Sequence, residues 1–150
     1  MNTPSDKAAS QSFVKEYPSR KIIYVKISGT MDLATNEHIA NECARIVKHG
    51  GPWTGIADLT SMRGFNPKGT GVWQDAFKAI TANIDRVYYA TTAFQIRMVT
   101  QAWGIFVRKT VQSFDTMDAL VEKAKADNLY LPEDVLLKRD LTTRTRRVTR

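Results

Sequence analysis

The chain has 150 residues, a usual size for one domain and enough to bury a substantial core. Its hydrophobic fraction of 43% and charged fraction of 25% are ordinary for a globular protein. No stretch approaches the roughly 18 consecutive apolar residues of a membrane helix. The single cysteine, Cys43, excludes an intramolecular disulfide, and the polar residues 1–11 lack the apolar segment of a signal peptide. We therefore expect a cytoplasmic protein without an integral membrane segment.

The net charge of +7 is concentrated near the carboxyl terminus. Residues 138–150 carry +5, which leaves +2 for the other 137 residues. This pattern predicts three parts: a disordered N-terminus over 1–11, a folded domain over 12–137 and a basic tail over 138–150. The tail could bind nucleic acid or an acidic protein. Its basic residues are Lys138, Arg139, Arg144, Arg146, Arg147 and Arg150.

The predicted elements begin with an antiparallel β-hairpin. Two β-rich runs, SFVKEY and KIIYVKIS, flank a turn at residues 18–20. The second run is apolar on both faces, as expected of a central strand, and Gly29 is predicted to end it. Asp32 then caps a helix that stops at Gly50-Gly51-Pro52. The buried face of this helix carries Ile39, Cys43, Ile46 and Val47 at helical spacing.

The middle of the chain predicts a strand, a loop and a second helix. TGIADL is a short strand that ends at Asp58, and Trp53 ahead of it is expected to cover an edge. A loop follows over residues 60–69. Thr70 caps the second helix. The apolar side of that helix is expected to carry Trp73, Phe77, Ile80 and Ile84.

The last third predicts two strands and the remaining helices. RVYYATT is a strand, and a helix over about 94–108 follows, with Ile96, Val99, Trp103 and Phe106 inward. TVQSF is the last strand. Asp115 is predicted to cap the next helix, with Asp118 completing a capping box. Its apolar stripe is Met117, Leu120, Val121 and Ala124, and PEDVLLK adds a short helical stretch.

The order β-β-α-β-α-β-α-β-α predicts an α/β fold. Its sheet is mixed and mainly parallel, with the N-terminal hairpin supplying an antiparallel edge. About four helices pack on the sheet.

A catalytic or metal site is not indicated by the residue pattern. His38 and Glu42 share a helix face, but two ligands do not make a zinc site, and His49 is about 16 Å further along the helix. Cys43 lies in an apolar stripe, which favours a small buried hydrophobe over a nucleophile. No G-x-S-x-G elbow is present. We therefore predict a protein that is not an enzyme and binds neither a metal nor a cofactor.

The glycine-rich stretch from Gly64 to Gly71 is the strongest candidate for function. It leaves a strand and opens a helix, where free N–H groups and the helix dipole favour an anion. It is not a P-loop, because Lys68 precedes Gly69 rather than following it. A plain glycine-rich connector is the alternative.

Three segments together resemble the STAS domain, the fold of bacterial anti-sigma-factor antagonists, and its SpoIIAA-like branch in particular. IIYVKISGTMDLAT is similar to that family's strand and glycine before the first helix. GPWTGIADLTSM is similar to its strand ending in Asp-Leu, and VQSFDTMDAL to its final strand and helix start. The resemblance covers roughly residues 13–126 and leaves the tail outside.

The resemblance implies a regulatory or scaffold module of bacterial signalling that binds a protein partner. In regulatory members a serine before Gly-x-Gly is phosphorylated, and here Lys68 stands at that position before Gly69-Thr70-Gly71. A standard phosphoserine switch is therefore not expected. The predicted partner-binding residues are Asp58, Ser61, Arg63, Phe65, Asn66, Lys68, Gly69, Thr70, Gly71 and Trp73.

Two alternatives stay open beside the partner-binding hypothesis. The SpoIIAA-like branch resembles lipid-binding folds, so a carrier of a small apolar ligand or lipid is one of them. The other is binding of nucleic acid or an acidic partner through the basic tail. Self-association into a homo-oligomer is compatible with each hypothesis.

Overall fold

The computed structural model describes residues 12–65, 68–94, 96–97 and 110–136. The predicted N-terminal segment, the basic tail and most of the predicted helix over 94–108 lie outside these ranges. The described residues contain five strands: β1 Phe13–Tyr17, β2 Ile22–Met31, β3 Trp53–Phe65, β4 Ile84–Ala90 and β5 Thr110–Phe114. The three longer helices are α1 Leu33–Val47, α2 Gly69–Ile80 and α3 Met117–Ala126. Residues 133–136 form one further helical turn.

The strands make one sheet in the order β1-β2-β3-β4-β5, and this confirms the predicted fold class. β1 and β2 are antiparallel, whereas β2 to β5 are parallel neighbours. Because each parallel strand adds beside the previous one, right-handed crossovers place α1 and α2 on the same face. The two helices pack against each other there. Among the described strands the order never reverses, so this part of the sheet has no topological switch point, the usual ligand crevice of open α/β sheets.

Two apolar cores lie on opposite faces of the sheet. One lies under α1 and α2 and includes Ile23, Ile27 and Ile39. The other lies under α3 and the 133–136 turn and includes Tyr24, Tyr88 and Leu120. β2 contributes alternate residues to both, which is why its sequence is apolar throughout. Truncating one fully buried aliphatic side chain here is expected to cost about 2–5 kcal/mol.

Three predictions at element boundaries between residues 29 and 84 are wrong. Gly29 does not end β2: its positive φ of 75° falls at a register shift, and the strand continues to Met31. Trp53 does not cover an edge, because it opens β3, is 3% exposed and donates its indole N–H to the His49 carbonyl oxygen. Ile84 belongs to β4 rather than to the second helix.

Helix caps agree with the sequence in one case and differ in two. Asp32 caps α1 as predicted, with its carboxylate accepting the Thr35 N–H at 2.7 Å. α2 begins at Gly69, so Thr70 lies inside the helix. The cap of α3 is Thr116, whose hydroxyl accepts the Ala119 N–H at 3.1 Å. Asp115 precedes the cap position by one residue, and its carboxylate is paired with Arg97.

A set of hydrogen bonds, called the clasp below, joins the N-terminal hairpin to the helical turn at residues 133–136. The Asp134 carboxylate accepts hydrogen bonds from the Tyr17 hydroxyl at 2.7 Å and the Lys15 ammonium at 2.8 Å. These donors hold the pKa of Asp134 at about 2. Burial, followed by the bond to Asp134, raises the pKa of Tyr17 to about 12. The clasp therefore keeps the hairpin edge and the 133–136 turn on one core.

Replacing the clasp carboxylate tests its contribution. We expect Asp134→Asn to lower the free energy of unfolding by about 0.5–1 kcal/mol at pH 7, since the carboxylate is partly solvated. Because the pKa of Asp134 is depressed in the folded state, its contribution is complete above its unfolded pKa of about 3.9. The difference between wild type and variant should shrink as the pH falls from about 4 towards 2. Urea titrations across this range measure it.

Glu133→Gln is the matched control, since it removes the same charge one residue away. A wild-type–Asp134→Asn difference that stays constant down to pH 2.5 would contradict the assigned protonation.

Candidate binding site where β3 leads into α2

The predicted loop over residues 60–69 is largely strand. β3 continues to Phe65 and stays paired with β2 as far as the Met31–Phe65 pair. Its last pair with β4 is Asp58 with Ala90. Within the described ranges, the final seven residues of β3 therefore have a strand partner on the β2 side alone. The segment leaves the body of the sheet as a two-stranded extension.

Two register shifts explain why this strand looks like a loop in sequence. Pairing slips between Ser28 and Lys26, and again between Gly29 and Thr30, and at each place β3 gains one residue over β2. A bulge of this kind breaks the alternation of a strand. Leu59 and Met62 both pack on the core under α1 and α2, yet they are three residues apart instead of two. No sequence rule that expects a period of two recognises such a strand.

Asp58 lies apart from the exposed part of the candidate site. It is 7% exposed and points to the face opposite α1 and α2, since its neighbours Ala57 and Leu59 pack under those helices. One carboxylate oxygen accepts from the Thr60 N–H and hydroxyl at 3.1 and 2.6 Å. The other lies 3.5 Å from the Lys26 ammonium. Asp58 thus shapes the first bulge rather than offering a contact surface.

The exposed candidate residues lie on both sides of the β3–α2 junction. Ser61, paired with Ser28, and Arg63, beside the second bulge, are exposed on the extension. Lys68 and Gly71 are exposed at the start of α2. Of the other predicted site residues, Asn66 and the side chains of Phe65 and Thr70 lie outside what the structure describes.

Asn36 joins the first turns of α1 and α2. Its side chain is fully buried and donates to the carbonyl oxygens of Met31 at 3.2 Å and Asp32 at 2.7 Å. Its amide oxygen accepts the indole N–H of Trp73 at 2.7 Å. A polar side chain that is fully buried is tolerated because it is bonded in this way. The sequence analysis missed Asn36, which looks like an ordinary polar residue near a helix start.

The two glycines of Gly69-Thr70-Gly71 have different roles. A Cβ at Gly69 would lie 2.6–2.8 Å from the side-chain atoms of Asn36, so only glycine allows α2 to approach α1 this closely. A Cβ at Gly71 would meet nothing within 4 Å. Gly69 is therefore a packing requirement, whereas Gly71 is an exposed surface position.

The described residues do not assemble a recognisable reaction centre. Burial raises the pKa of the Cys43 thiol to about 12, so the thiolate nucleophile is not populated near neutral pH. Within ranges 12–65, 68–94, 96–97 and 110–136, no three His, Cys, Asp or Glu side chains gather as metal ligands. No helix among the described residues is long and apolar enough to cross a membrane.

Other solved structures share this arrangement of strands and helices. A DUF3478-family protein from Shewanella loihica PV-4 matches with a TM-score of 0.58 at 10% identity, over 74% of this chain and 90% of its own. The anti-sigma factor antagonist SpoIIAA in its unphosphorylated form matches with a TM-score of 0.57 at 14% identity, over 76% and 97%. The DUF3478 protein is itself described as SpoIIAA-like. The present chain has a SpoIIAA-like fold.

An anti-sigma factor antagonist from Mycobacterium paratuberculosis shares the SpoIIAA-like fold, with a TM-score of 0.53 at 13% identity over 77% of this chain and 93% of its own. No protein-family model matches the sequence, and no curated protein matches it significantly. At identities this low, the structural matches establish the fold alone, and this fold is the one that the sequence resemblance predicted.

The contrast between the two glycines gives a paired prediction for this SpoIIAA-like fold. Gly69→Ala should lower the free energy of unfolding by about 1–3 kcal/mol, because the methyl group overlaps the bonded Asn36 side chain. Gly71→Ala should be neutral or raise it by up to about 1 kcal/mol, since alanine favours the helix and meets open space. Urea unfolding of both variants measures the difference. Equal effects would contradict the close approach at Gly69.

A double-mutant cycle tests the bond between Asn36 and Trp73. Trp73→Phe keeps most of the ring but removes the indole N–H, and we expect a cost of about 1–3 kcal/mol because the Asn36 oxygen loses its donor. The same change in an Asn36→Ala background should cost less, with a coupling of at least about 0.5 kcal/mol. Strictly additive unfolding free energies would show that the bond does not contribute.

Proposed function

We propose that the chain is a non-enzymatic regulatory or scaffold module that binds a protein partner through residues 60–73. The observation that carries the proposal is an exposed surface, from Ser61 and Arg63 to Lys68 and Gly71, at the first turn of a helix whose inner side is held by Asn36. A surface held in this way loses little conformational freedom on binding. The likeness to anti-sigma factor antagonists supports the regulatory class.

Lys68 bears on whether phosphorylation can regulate partner binding at this surface. It is exposed immediately before Gly69, where α2 begins. A lysine cannot accept the phosphate that the resemblance places at this position, and its charge is opposite to that of a phosphoserine. We infer that partner binding through this surface does not depend on phosphorylation at residue 68.

The apolar-carrier alternative has less support. Large aromatic side chains that could line a pocket are bonded within the protein. Tyr88 and Tyr89 are buried, and their hydroxyls donate to the Asp127 carboxylate and to the Arg97 carbonyl oxygen, respectively. The indole N–H groups of Trp53 and Trp73 are also bonded within the protein. Binding of a small apolar ligand stays a prediction, which native mass spectrometry of the purified protein tests.

Charge reversal at the start of α2 tests the proposed surface. We expect Lys68→Glu to reduce the recovery of specific partners at least tenfold in quantitative affinity capture from the native cell extract. The reason is that a like-charge contact at an interface costs several kcal/mol and replaces a favourable one. The measurement is label-based mass spectrometry of wild-type and variant captures made in parallel.

Lys78→Glu is the matched control, because Lys78 is also exposed and lies in the last turn of the same helix. It should recover the wild-type set of partners. If Lys68→Glu and wild type recover the same proteins in the same amounts, residues 60–73 are not the interface.

A further inference from the structure

We draw no further inference here: the strongest candidate, the edge of β3 over residues 59–65 that has no strand partner on the β4 side within the described ranges, lies in the partner surface already proposed, and nothing in the structure shows what covers it.

Discussion

The parallel pairing of β2 with β3 along the whole of β2 is the contact on which the rest of the structure depends. β2 supplies alternate residues to both cores, so its register with β3 decides which side chains meet α1 and α2 and which meet α3. A slip of one residue would exchange the two faces. At each of the two bulges, β3 gains one residue relative to β2. Leu59 and Met62 nevertheless both pack against the core under α1 and α2. The candidate surface thus depends on β3 staying paired with β2 to the end of β2, with two extra residues in β3.

Asn36 and Gly69 extend that constraint from the sheet to the helices. Asn36 bonds to the end of β2 through the Met31 carbonyl oxygen and to α2 through Trp73. The absence of a side chain at Gly69 lets the first turn of α2 close on this amide. A change at any of these positions is expected to alter the geometry of the exposed residues beside them. In the proposed function, stability and recognition are therefore coupled at this end of the molecule.

Predictions from the sequence are confirmed where the spacing of apolar residues and the nearby capping or turn residues indicate the same element. The apolar stripes of α1 and α3, the Asp32 cap and the antiparallel hairpin follow from side chains within a few residues of one another, and all are confirmed. Errors occurred where a distant partner decided the local structure. Asp115 is a residue type suited to a cap, but α3 begins at Met117 with Thr116 as its cap, and the Asp115 carboxylate pairs with Arg97 instead. The strand past Asp58 was missed because two bulges removed the alternation that marks a strand.

By itself, the amino-acid sequence determined the fold class, the order of the described strands and helices, and the presence of Lys68 just before α2. These follow from composition, period and short motifs, which are properties of neighbouring residues. Tertiary structure alone decided that residues 60–65 are strand, that Asn36 holds α2, and that Tyr130 faces solvent beside Arg20. Each of these depends on a contact between residues far apart in the chain, and the pattern of neighbours carries no record of such contacts.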